Sequence, residues 1–149
     1  MASSHYVFRT HWRLPAPPDR VYAALADVES YPQWWPQVRS TRRIDDVSGE
    51  VTCRSLLPYD LTFLMHRDVE DAAAMMLRAH MEGDLAGTSQ WTVTGDGPGA
   101  VAIFDEDVDV GIGLLRAAGR LFRPALRLNH DHMMRSGEKG LRHHLADGG

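Results

Sequence analysis

Tyr6, Phe8, Thr10, Trp12 and Leu14 alternate with Val7, Arg9, His11 and Arg13. A period of two describes a strand with one buried face. Pro15-Ala16-Pro17-Pro18 stops it, because proline supplies no ladder donor. Asp19 stands where it can cap a helix, and Val21, Leu25 and Val28 at near-helical spacing predict a short one over roughly 18–27. Ser30 and Tyr31-Pro32 open a second short helical turn that carries Trp34 and Trp35, and Pro36 ends it.

From residue 38 the pattern becomes a run of short strands, expected near 38–46, 50–57, 60–70, 74–82, 88–95 and 100–110. Ser48-Gly49, Pro58-Tyr59-Asp60, Gly83-Asp84 and Gly95-Asp96-Gly97-Pro98-Gly99 punctuate them. Sequential strands with tight connections favour an antiparallel meander. Ala72-Ala73-Ala74-Met75-Met76-Leu77 holds strong helix formers. The alternation of Met75, Leu77, Ala79 and Met81 with Met76, Arg78, His80 and Glu82 nevertheless predicts a strand.

Beyond about Leu114 the period shifts to 3.6. Leu115, Ala118, Phe122, Leu126, Asn129, Met133, Gly137, Gly140 and Leu141 form one stripe, predicting a long amphipathic helix to about Leu145, bent near Pro124. Its only available apolar partner is the concave face of the sheet. A seven-stranded sheet curled around one helix leaves room for a cavity, the kind of place where small molecules bind, in clefts of roughly 300 Å3 or more.

Composition narrows the class. With 149 residues, 44% hydrophobic and 24% charged, the chain suits one domain over 1–149 and is not disordered. Cys53 is the only cysteine, so neither an internal disulfide nor a cysteine zinc site is available. The net charge of -4 argues against nucleic acid as partner. The longest apolar run, Ala72 to Leu77, is six residues against the ~20 of a membrane helix. No stable membrane insertion and a cytoplasmic location are the expectations, for a monomer or weak homodimer.

Strand 6–14, Pro18-Asp19-Arg20-Val21-Tyr22, Tyr31-Pro32-Gln33-Trp34-Trp35-Pro36 and the final helix, above all Asn129-His130-Asp131-His132-Met133-Met134-Arg135-Ser136-Gly137-Glu138-Lys139-Gly140-Leu141, together resemble the START-like, polyketide cyclase/dehydrase and lipid-transport superfamily (SRPBCC), in an actinobacterial-type branch. The resemblance implies an α+β helix-grip fold: a seven-stranded curved antiparallel sheet around the C-terminal helix, with two short helices between strands 1 and 2. It also implies a pocket for a small hydrophobic or aromatic ligand. Members range from carriers to cyclases, so binding or transport of such a metabolite is the first reading, and a polyketide cyclase/aromatase-type enzyme the alternative.

Candidate ligand contacts are Trp34, Trp35, Phe63, Met65, Leu77, Met81, Trp91, Phe104, Phe122 and Met133, each of which could equally be plain core. Glu106 shares a strand face with Phe104 and Val108, opposite Asp105, Asp107 and Asp109, which are expected in solvent. A carboxyl facing a cavity needs a partner or a raised pKa; Arg67, on the face of Phe63 and Met65, is one candidate partner, and a salt bridge at the rim is the alternative reading. Glu106, Arg67 and Asn129 are thus the weak catalytic candidates. Asn129 reads either as a ligand contact or as a backbone-satisfying group, and Tyr59 as a phenol at the pocket mouth or on the surface. His130 and His132 are two residues apart on a helix and face apart; His66 and His80 are expected on outward faces, so no metal is expected. Without a nucleophile elbow, phosphate loop or dinucleotide fingerprint, no cofactor is expected either.

Overall fold

The computed structural model describes residues 5–56, 60–111 and 122–147, for 122 and 123 the backbone alone. Strand β1 (His5–Leu14) leads into α1 (Pro18–Ala26), a 3-10 turn (Val28–Ser30) and α2 (Tyr31–Trp34). Six strands come next: β2 (Val38–Arg43), β3 (Ser48–Cys53), β4 (Leu61–Asp71), β5 (Met76–Gly83), β6 (Leu85–Asp96) and β7 (Gly99–Val110). Helix α3 (Phe122–Ala146) closes the described chain. The expected beginning of that helix, Leu114 to 121, lies outside the described residues.

All seven strands form one antiparallel sheet in the order β1-β7-β6-β5-β4-β3-β2. Each strand from β2 to β7 pairs with the next, and β1 returns to β7, so α1 and α2 bridge from one edge of the sheet to the other. The helix-grip architecture implied by the sequence is therefore the fold.

Two local expectations change. Asp19 does not cap α1: Pro17 occupies the N-cap without a side-chain bond, Pro18 opens the helix, and Asp19 lies inside the first turn, where its charge suits the helix dipole. Ala72–Met75 is a turn and not the start of β5. The Ala74 amide donates to Asp71 Oδ1 (3.0 Å) and Met75 adopts φ 53°. A hairpin turn between long paired strands overrides the helix propensity of three alanines.

At one end the core is aromatic. The chain's four tryptophans form a single cluster: Trp12 lies 4.8 Å from Trp91, 5.1 Å from Trp35 and 6.2 Å from Trp34 between ring centroids. Tyr31 joins it at 5.0 Å from Trp34, and its hydroxyl donates to the Leu25 carbonyl (2.5 Å). Helix α3 can approach this cluster because it presents glycine there. A Cβ on Gly137 would stand 2.5 Å from the Trp35 ring, and one on Gly140 would stand 1.7 Å from the Trp34 carbonyl oxygen. The sequence pattern predicts that these glycines admit the sheet. Gly137 does meet the sheet, through the Trp12 ring of β1, and it also meets Trp35; Gly140 meets the backbone of α2.

Candidate functional site

The other end of the space under α3 is hollow. A cavity of about 110 Å3 lies between the sheet and the helix. Trp35, Phe63, Met65, Met81, Trp91, Phe104 and Met133 stand in its wall with Phe8, Val108 and Leu126. Trp35 is fixed by its indole N–H, which donates to the Met133 carbonyl (2.9 Å) and ties α2 to α3. Trp91 packs on Phe104 at 4.5 Å between centroids. The volume falls well below the roughly 300 Å3 expected of a cleft for drug-sized molecules. It is of the order of the ~150 Å3 engineered cavity that takes up one benzene ring.

One row of side chains crosses the concave face. The register aligns Phe8 (β1) with Glu106 (β7), Glu106 with Ser89 (β6), Ser89 with Ala79 (β5) and Ala79 with Arg67 (β4). Arg67 is consequently three strand spacings from Glu106, about 14 Å, and cannot partner it. It turns outward, donating to the Ala26 carbonyl (2.8 Å) and pairing with Glu70 (2.5 Å), in an open surface cleft between the 26–29 segment and the β2–β3 turn.

The partner of Glu106 comes from the helix. His130 Nε2–H donates to Glu106 Oε1 at 2.9 Å, with the two side chains only 13% and 10% exposed. The imidazole lies flat on the Phe8 ring, centroids 3.8 Å apart and planes 11° from parallel. Arg127, one helical turn earlier, holds its guanidinium carbon 5.7 Å from the same ring's centroid. Ser89 and Asn129 complete the polar part of the wall, both buried. Cys53 also lines the cavity; burial, with a smaller push from the Glu106 charge, raises its thiol to about 12, so it is no nucleophile at neutral pH. A carboxylate holding an imidazole in an apolar wall can orient a bound polar group or move a proton.

The family described as polyketide cyclase / dehydrase and lipid transport matches residues 7–142. The chain belongs to that family. Among solved structures, TTHA0849 from Thermus thermophilus superposes with a TM-score of 0.74 at 21% identity, covering 97% of this chain and 100% of that one. The Zhui aromatase/cyclase from Streptomyces sp. R1128 gives 0.75 at 16% identity, covering 97% and 99%. A START superfamily protein from Mycobacterium smegmatis gives 0.74 at 15% identity, covering 96% and 99%. At these identities the likeness establishes the shared fold. No curated protein matches the chain. Family and fold fit ligand binding or polyketide cyclase activity.

Within this helix-grip family member, two expected ligand contacts stand elsewhere. Trp34 is buried under α3, stacked on Trp35 at 5.4 Å and near His144, outside the cavity wall. Trp34 ends α2, and Trp35, the extended residue that caps it, is the one that reaches the hollow. Leu77 is core, 4% exposed and not in the wall. The side chain of Phe122 and all of Tyr59 lie outside the described residues. His66 and His80 are exposed as expected, paired with Ser48 and Asp68. Asp107 and Asp109 are exposed, and half-buried Asp105 pairs with Arg9 (2.6 Å).

Sequence reasoning passes over Phe8 and His130 as site residues. A signal for His130 is present: position 130 is four after Leu126 and four before Met134, and both of those are buried. An apolar stripe about 100° wide includes it. Among the described residues no three His, Cys, Asp or Glu side chains converge as metal ligands, and no helix is long and apolar enough to cross a membrane.

Proposed function

We propose that this protein, one START-like domain over 1–149, binds or carries a small hydrophobic or aromatic metabolite between the sheet and α3. The observation that carries the reading is a cavity whose described wall is aromatic and aliphatic apart from one short polar sector at Glu106, His130, Ser89 and Asn129. Apolar surface with a few converging polar groups is what binds and orients a small ligand. The volume of about 110 Å3 supports a ligand of roughly one ring. The net charge of -4 supports a partner that is not nucleic acid, and we read the chain as a cytoplasmic monomer or weak homodimer. Native mass spectrometry of protein purified without detergent tests the binding reading. A retained small organic mass supports it, and a protein that neither retains one nor takes up any from a panel of monocyclic compounds rejects it.

The Glu106–His130 pair favours a second reading, catalysis of the cyclase type, with the pair as acid and base and Asn129 holding a carbonyl. Arg67 has no part in it, since its guanidinium is held outside the wall. The described space holds about 110 Å3, so a small enolisable carbonyl compound is the substrate to test. Proton exchange of such a compound, followed by NMR in deuterated buffer, would slow at least about a hundredfold in Glu106→Gln.

A further inference from the structure

Glu106 is the only carboxylate in the described wall of the cavity, and one of its two oxygens makes no hydrogen bond to a described residue. Oε1 accepts from His130; among the described residues Oε2 has no partner, although an ionised carboxylate offers about four acceptor sites. Directly across the strand pair stands Ser89, 5% exposed and likewise without a described partner for its hydroxyl. Side chains facing each other in this way are about 5 Å apart at Cβ. The cavity thus carries, side by side, a free carboxylate oxygen and a free hydroxyl.

The described charges around this sector are one-sided. No described Lys or Arg lines the cavity. Arg67 is held away by Glu70 and the Ala26 carbonyl, and Arg127, which is not in the wall, holds its guanidinium carbon 6.0 and 5.7 Å from the ring centroids of Tyr6 and Phe8. Among the described residues an anionic ligand would find no counter-charge beside Glu106, and losing its water there is costly in an apolar wall. A wholly apolar ligand would displace water from Oε2 and leave it bare, which is also unfavourable. A ligand that brings a neutral donor avoids both costs.

Resting on the reading of this cavity as a ligand site, we propose that the ligand is a single-ring molecule with a neutral hydroxyl, a phenol or a ring-bearing alcohol, whose O–H donates to Glu106 Oε2 and accepts from Ser89. His130 is a positioning residue here: it occupies Oε1, so that Oε2 is the oxygen left for the ligand. Phe8, Trp91 and Phe104 contact the ring.

The test is a matched series on the full chain: 4-methylphenol, toluene and 4-methylbenzoate, measured at pH 7 by calorimetry and by tryptophan emission, since Trp35 and Trp91 border the cavity. The phenol is neutral at this pH, with a pKa near 10. It should bind about tenfold or more tighter than toluene, as expected for a hydrogen bond to a charged group, and the benzoate should not bind measurably. Ser89→Ala should remove part of the phenol's margin and leave toluene unchanged; Glu106→Gln should remove most of it. Equal binding of phenol and toluene, or benzoate as tight as the phenol, overturns this proposal while leaving the cavity reading intact. Binding of none of the three overturns both. The wild-type series decides even where a variant folds poorly.

Discussion

His130 lies flat against Phe8, with ring centroids 3.8 Å apart. The contact joins α3 to the edge strand β1, and the same imidazole reaches on to Glu106 of β7 at 2.9 Å. Three elements far apart in sequence thereby fix one buried carboxylate. The stack sets the plane of the imidazole, and the hydrogen bond then sets which nitrogen carries the proton.

The first prediction tests that coupling. His130→Ala removes the stack and leaves Glu106 buried without its donor, a loss of about 2–4 kcal/mol. Glu106→Gln keeps the shape and a polar acceptor, so it should cost about 1 kcal/mol. The double variant should lose less than the sum, by about 1 kcal/mol, because the first change removes the partner that the second one affects. Urea unfolding of the four proteins measures it; strict additivity would show that the two side chains act independently.

A second prediction concerns the glycines of α3. Alanine normally stabilises a helix interior by about 1 kcal/mol over glycine. At Gly140 the sign reverses, because the added Cβ meets the Trp34 carbonyl oxygen at 1.7 Å, and that backbone atom can yield only by lifting α2 away from α3. Gly140→Ala should cost at least about 3 kcal/mol, a Tm loss of roughly 6–12 °C. Gly97→Ala, at φ +58° with nothing within 4 Å of the added Cβ, should cost only about 1–2 kcal/mol. Equal losses at the two positions would contradict the close approach.

These two sites show what a linear reading conveys. Period-two and period-3.6 patterns located every strand and the last helix, because burial of one face is written directly into residue order. Which residues meet across the sheet is not written there. Arg67 and Glu106 share the concave face, yet Ala79 and Ser89 stand between them in the row, a separation that only strand register reveals. Trp34 and Trp35 look equivalent in sequence; α2 ends between them, and the extended cap residue Trp35 turns to the cavity while Trp34 packs under α3. Gly137 and Gly140 were legible as places of close approach, but not that an indole and a carbonyl would do the approaching.

The third prediction is alkaline lability. Burial raises the Cys53 thiol to about 12 and raises the Tyr31 phenol as well. In the unfolded chain these groups release their protons near pH 8.5 and 10, whereas the folded chain holds them. Above those values the unfolded state binds fewer protons, so stability falls as pH rises. The contribution is complete below about pH 8.5 and is lost progressively towards pH 12. Lys139 is the chain's only lysine, so lysine titration adds little to this limb. Urea midpoints between pH 8 and 11 should fall less steeply in Cys53→Ala and in Tyr31→Phe than in the wild type. Parallel slopes would show that neither group titrates on unfolding.

A fourth prediction addresses the edge of the sheet. Strand β1 has no neighbour beyond it, and α3 covers its end: the Arg13 amide donates to Glu138 Oε2 (2.9 Å), and Arg142 Nε donates to the Arg13 carbonyl (2.8 Å). Unpaired edge groups invite pairing with another chain. Glu138→Ala with Arg142→Ala should lower stability by only about 1 kcal/mol, since both side chains are solvent-accessible, but should increase self-association. Light scattering against concentration checks this, and an unchanged monomer fraction would show that these contacts do not guard the edge.

The last prediction fills the hollow. Val108 is 2% exposed, lies in the cavity wall on β7 and faces inward beside Glu106's row. Val108→Phe adds a ring's volume to a space of about 110 Å3, so the new side chain occupies what a ligand would occupy. Burial of the added apolar surface, about 25 cal/mol per Å2, offsets the strain of a tighter wall, typically about 1–3 kcal/mol. Stability should therefore change little, while uptake of monocyclic ligands falls at least about tenfold. That combination separates a container from an ordinary core. If Val108→Phe binds such ligands as the wild type does, the hollow beneath α3 is not where they go.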